Sequence, residues 1–136
     1  MTKEDRERLL KDLGGRLPYG VKILDVPANV VGKLFLISTT GTVQYKTADD
    51  TGIQTLYNIK PYLLPLSSMT DEQKRDYNSL RDLVPTMVQC EVGNLMDDFE
   101  LVDNWKSIDY LNANYFDYRG LIENGLAIDA TELNIY

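Results

Sequence analysis

Histidine is absent from this chain of 136 residues, and cysteine occurs once, at position 90. Imidazole is the commonest proton shuttle near neutral pH, and His/Cys sets supply most zinc, copper and haem ligands, so those chemistries lack their ordinary donors. A lone thiol closes no internal disulfide, and Cys90 reads as a small buried hydrophobe. The nine glycines form neither a GxGxxG nor a GxxxxGK[ST] pattern, so no phosphate cradle is visible. Apolar runs stay at a few residues, as in Leu34-Phe35-Leu36-Ile37, where a membrane helix needs roughly 20. The opening Met1-Thr2-Lys3-Glu4-Asp5-Arg6 lacks the apolar stretch of a secretory signal, and the expected setting is the reducing cytoplasm. No cofactor or metal is expected, and an enzyme would have to work with carboxylate, tyrosine or lysine alone.

What is present suffices for a core. With 43% hydrophobic and 26% charged residues, the chain escapes the composition that keeps segments disordered. One domain over 1–136 is expected, burying roughly two-thirds of the surface its unfolded form exposes. The net charge of −7 is uneven: residues 1–85 carry 12 Lys/Arg against 11 Asp/Glu, and residues 86–136 carry 2 against 10. An acidic C-terminal part repels phosphate backbones and favours cationic partners or divalent ions, although solubility alone is the favoured explanation.

Local signals give an α+β order. Thr2 is a good N-cap before Leu9, Leu10 and Leu13, and Gly14-Gly15 reads as the stop of that helix. Strands are expected over 21–26, 30–38, 42–47 and 53–58, with a tight connection at Thr39-Thr40-Gly41 and a turn at Asp49-Asp50-Thr51-Gly52. Lys60-Pro61 should interrupt the sheet, leaving 61–66 extended across the core or along an edge. Thr70-Asp71-Glu72-Gln73 is a capping box opening a helix through Tyr77, Leu80 and Val84 that Pro85 ends. A short strand follows at Val88, Cys90 and Val92, a turn at Gly93-Asn94, and another strand at 99–102. Ser107 is read as the cap of a helix carrying Ile108, Leu111 and Tyr115, Asp117 as the cap of a shorter turn closed by Gly125, and 127–136 as a tail.

Three constellations invite chemistry. The acids of Asp97-Asp98-Phe99-Glu100-Leu101-Val102-Asp103 fail the calcium-loop spacing, with Val102 sixth and Ile108 twelfth, and read as a solvated face or a loose cation site. Trp105, Tyr110, Tyr118 and Arg119 concentrate the residue types that dominate binding hot spots. The plainer alternative is that Tyr115 and Phe116 fill the core while Arg119 pairs with Asp117 or a neighbouring acid. Tyr45 and Tyr57 could serve as stacking platforms if the curled sheet closes into a small single-strand-binding barrel.

The phrases Thr2-Lys3-Glu4-Asp5 through Leu9-Leu10-Lys11-Asp12-Leu13 followed by Arg16-Leu17-Pro18-Tyr19-Gly20-Val21, Lys60-Pro61-Tyr62-Leu63 with Pro65-Leu66-Ser67-Ser68-Met69-Thr70, and Asp109-Tyr110-Leu111-Asn112 with Phe116-Asp117-Tyr118-Arg119-Gly120-Leu121-Ile122 together resemble a family of small uncharacterised proteins of gut anaerobes and their phages or mobile elements. The resemblance implies a shared fold and a phage-linked setting, and it transfers no catalytic residue.

The expected architecture is an N-terminal helix, a small curled antiparallel sheet open to SH3-like or barrel-like closure, and two further helices packed on it. The expected role is a non-enzymatic interaction module contacting a protein partner or a second copy of itself, with nucleic acid and membrane disfavoured. The alternatives are an acidic anti-defence or regulatory factor imitating nucleic-acid charge, and an enzyme built on carboxylate and tyrosine.

Overall fold

The computed structural model describes the backbone of residues 1–90 and 93–136, and the side chains of these residues outside 85–99. In chain order the elements are α1 (Lys3–Arg16), β1 (Lys22–Asp25), β2 (Val30–Ile37), β3 (Thr42–Lys46), β4 (Thr51–Thr55), β5 (Ile59–Pro65), α2 (Asp71–Leu80), β6 (Asp82–Cys90), β7 (Gly93–Val102), α3 (Trp105–Ala113), β8 (Phe116–Asp117) and β9 (Ile128–Asp129). The class is α+β, as the sequence pattern indicates. Residues 1–68 and 112–136 make one compact unit and residues 69–111 another. Among the described residues, no helix is long and apolar enough to cross a membrane.

In the first unit, α1 opens on a capping box: Thr2 Oγ1 accepts from the Asp5 amide at 3.0 Å, and the Asp5 carboxylate accepts from the Thr2 amide. Gly14 and Gly15 do not stop this helix. It continues one turn beyond Asp12, despite the ~1 kcal/mol that each glycine costs in a helix, and so sets Arg16 at i+4 from that residue in a buried ion pair. Gly15 also lies against the Asn112 side chain, where a Cβ would stand 3.1 Å from Nδ2. The chain leaves through a 3-10 turn, Leu17–Tyr19, and Gly20 takes the left-handed conformation at φ 66°.

The sheet runs β4-β3-β2-β1-β5-β8, with β9 also on β5. The β1 to β5 ladders are antiparallel, but β8 and β9 join β5 in parallel, so the sheet is mixed. Period-2 alternation turns Ile23, Leu34 and Val43 inward onto Leu9 and Leu13 of α1, and Leu56, Ile59, Leu63 and Leu121 complete a core with each of these side chains at most 1% exposed. Each such burial contributes about 1.5–3 kcal/mol.

Two expectations need correction here. Pro61 does not interrupt the sheet: it pairs with Ile23, and 59–65 is an internal strand rather than an edge. Its second side meets only the two-residue strands β8 and β9, at Tyr62–Pro65, so no ladder hydrogen bond is asked of Pro61 there. The segment 127–136 is not a loose tail. Beyond β9, the Tyr136 hydroxyl donates to Tyr62 O and accepts from the Lys22 amide, both at 2.8 Å, and its ring stacks on Tyr115 at 3.7 Å.

In the second unit, Thr70 Oγ1 accepts from the Gln73 amide at 3.1 Å and Gln73 Oε1 accepts from the Thr70 amide at 2.9 Å, which is the capping box read from four residues. The helix it opens stops at Leu80 and not at Pro85, because Asn104 Nδ2 donates to Leu80 O at 2.7 Å and closes its end. Val84 and Pro85 belong to β6, which pairs along its length with β7; a two-stranded ladder leaves an open edge on each strand that tolerates proline. Gly93 and Asn94 are already in that ladder, opposite Cys90 and Gln89. Val92 and the side chain of Cys90 lie outside the described residues. Ser107 is not the cap of α3 but the third residue within it: Asn104 Oδ1 accepts from the Ser107 amide and Ser107 Oγ from the Asn104 amide, both at 2.9 Å.

Candidate functional site

The Tyr118-Arg119 corner is built by a carboxylate. Asp117, 8% exposed, accepts from the amides of Arg119, Leu121 and Ile122 at 3.2, 3.1 and 2.9 Å, which winds 117–122 into a turn with Gly120 at φ 71°. Asp117 thus organises backbone as expected of a cap, although the segment after it is a turn and no helix. The turn brings the Tyr118 ring up to two guanidinium groups, Arg16 at 5.3 Å and Arg119 at 5.1 Å from its centroid. Its hydroxyl donates to Asn112 Oδ1 at 2.9 Å.

Arg119 does find an acid, but the acid is Asp12, with Nε 3.5 Å from Oδ1. Asp12 and Arg16 are fully buried. Arg16 donates from Nε to Asp12 Oδ2 at 2.8 Å, and from one terminal nitrogen to Asp12 Oδ1 at 3.1 Å and Phe116 O at 2.6 Å. Tyr118 and Arg119 are therefore occupied within their own unit and partly covered, which is the arrangement of a clamp holding α1 to the chain's last third. Beside them a hollow of about 320 Å³ is lined by Pro65, Tyr118 and Glu123 among others.

Trp105 and Tyr110 belong to the second unit, and Tyr118 and Arg119 to the first. Tyr110 is half-buried and stacks on Tyr77 at 6.3 Å. Tyr77 donates to Asp103 Oδ1, which also accepts from Ser107 Oγ at 3.0 Å and lies 3.5 Å from Arg81 Nε. Burial and the Asp103 hydrogen bond push the Tyr77 phenol up to about 12. Trp105 is different: it stands 72% exposed at the first turn of α3, with Lys106 Nζ 5.5 Å over its ring. It borders a hollow of about 360 Å³ whose wall includes Arg81, Asp82, Asn104 and Lys106.

One polar centre escaped the sequence reading. Asp25, 3% exposed, accepts from Tyr45 Oη at 2.6 Å, Gln54 Nε2 at 3.1 Å and the Ala28 amide at 3.2 Å. Burial alone would push its carboxyl up, but these three bonds outweigh burial and hold it below the ordinary value. The bond to Asp25, together with burial, pushes the Tyr45 phenol up to about 12. Tyr45 reaches Asp25 by lying over Gly32 of β2 and Gly52 of β4, where any Cβ would overlap its ring. The available signal was alternation, because Asp25 falls in phase with the inward-facing Val21 and Ile23. Tyr45 is 5% exposed and so cannot stack a base, whereas Tyr57 is 60% exposed.

Of the acidic run at 97–103, the side chains of Asp97 and Asp98 lie outside the described residues, Glu100 is exposed, and Asp103 is engaged as above. Among the described residues no group of three or more His, Cys, Asp or Glu could hold a metal ion. Among the described residues, the carboxyls with displaced pKa values, Asp25 and Asp129, are both held low. For Asp129 the cause is the hydroxyl and then the amide of Thr131. That direction suits a permanently ionised structural acid, whereas a proton donor near neutral pH needs the opposite shift. No protein-family model matches the chain, and no curated protein or solved structure shows significant similarity to it.

Proposed function

We propose that this chain is a non-enzymatic, cytoplasmic protein-interaction module, working in a phage- or mobile-element-linked setting, that grips a protein partner through Trp105. The observation that carries this reading is an indole 72% exposed on a helix start, beside a hollow of about 360 Å³ lined by Arg81, Asp82 and Lys106. Covering an indole with apolar atoms is worth about 3–4 kcal/mol, enough to anchor a moderate interface when neighbouring charges set its orientation. Of the four aromatic and cationic candidates, Trp105 alone keeps most of its surface in solvent; Tyr110, Tyr118 and Arg119 are partly buried.

The test is quantitative pull-down from the native host with Trp105→Ala beside Tyr118→Ala. Trp105→Ala should leave thermal stability within about 0.5 kcal/mol, as expected of an exposed site, and abolish recovery of the specific partner. Unchanged recovery by a folded Trp105→Ala protein refutes the assignment. Sedimentation of the purified chain shows whether that partner is a second copy.

A further inference from the structure

We propose that the outer face of β1–β3 binds a small, multiply charged phosphate compound through Lys22, Lys33 and Lys46. The ladder register sets Lys22 opposite Lys33 and Lys33 opposite Lys46, so three lysines stand in one row across three adjacent strands. Directly opposed residues hold their Cβ atoms about 4.5–5.5 Å apart, where like charges repel. In a chain of net charge −7 the obvious remedy would be a facing carboxylate, yet among the described residues none of the three makes an ion pair.

Neutral contacts hold the side chains in place. Lys22 Nζ donates to Ile135 O at 2.6 Å, and Lys46 Nζ lies 4.9 Å over the Phe35 ring. The Lys33 stem crosses Gly20, leaving no room there for a Cβ. All three line a hollow of about 280 Å³ whose wall also offers Thr47 and Asn134 and contains no Asp or Glu, although Asp49 and Asp50 sit in the adjoining turn. Ammonium groups act as compact point charges for phosphate, and concentrating three of them around one hollow selects for charge density. An extended polyanion would meet the negative field of the rest of the molecule, whereas a compact one feels chiefly the local row. A phosphate compound of pyrophosphate size fits the volume.

The test is calorimetric titration of the full chain with inorganic pyrophosphate at low ionic strength, alongside Lys33→Gln, Lys46→Gln and the charge-matched control Lys11→Gln on the exposed side of α1. The expected result is saturable binding that weakens about tenfold in each of the first two variants, keeps its wild-type affinity in the control, and moves the amide resonances of Gly32, Thr47 and Ala48. Absence of binding at millimolar pyrophosphate overturns the proposal, as does equal weakening by Lys11→Gln. A short single-stranded oligonucleotide that binds the same row more tightly than pyrophosphate also overturns it, in favour of nucleic acid.

Discussion

Replacing Asp12 by alanine removes the carboxylate from a fully buried guanidinium. Arg16 places two nitrogens on Asp12, at 2.8 and 3.1 Å, so the pair is bidentate and screened from solvent. Breaking such a pair from one side costs about 3–5 kcal/mol, because the remaining charge stays buried. For a domain of this size about 1 kcal/mol moves Tm by some 3–4 °C, so Asp12→Ala should lower it by roughly 10–18 °C. Arg16→Met should cost less, since Asp12 keeps Arg119 at 3.5 Å. Combining the two removes both buried charges together, and the double variant should recover about 2–3 kcal/mol relative to the sum of the singles. Urea unfolding of the four proteins followed by far-UV circular dichroism measures the cycle. A loss below about 1 kcal/mol for Asp12→Ala, or additivity within about 0.5 kcal/mol, would refute the claim that this pair clamps α1 in place.

The Asp25–Tyr45 bond gives opposite limbs in pH. Asp25 titrates lower in the folded state, so its contribution is complete above its ordinary 3.8 and lost as pH falls through the folded value; Asp25→Asn should flatten that acid limb in thermal melts. Tyr45 titrates higher, so its contribution is complete below 10.0 and lost as pH rises through about 12, and Tyr45→Phe should remove one late-titrating phenolate from the ultraviolet absorbance titration while costing about 1.5–3 kcal/mol. Gly32→Ala should cost about 1–3 kcal/mol and perturb the same phenol, because the added methyl overlaps the buried ring near its Cγ; wild-type stability would show that the ring has room to move. Thr70→Ala should lose about 1 kcal/mol through the cap of α2, read by hydrogen exchange at the Gln73 amide, with unchanged protection counting against it.

The features legible in the sequence are those whose cause lies within a few residues. The Thr2 and Thr70 caps, the 42–46 strand with Val43 and Tyr45 on one face, and the Thr39-Thr40-Gly41 connection all follow from spacing and backbone preference. Where local preference met a distant partner, the partner prevailed. Gly14-Gly15 looks like a helix stop until Arg16 has Phe116 O to reach, 100 residues away. Pro61 looks like a break until β1 lies beside it. Of the candidate site, residue types were readable and surroundings were not: Tyr118 and Arg119 are drawn onto the Arg16–Asp12 pair, while Trp105 stays in water.

The order and kind of side chains thus determined the class of fold, the lack of imidazole and the single thiol, because these depend only on which side chains exist and how they alternate. Tertiary structure decided which charges are buried and which stand in rows. Asp25 becomes a core acid only when Tyr45 and Gln54 arrive from later strands, and three lysines become one positive strip only when β1, β2 and β3 align in register. Solvation and charge proximity are properties of neighbours, and neighbours more than a few residues apart are set by how the chain closes on itself.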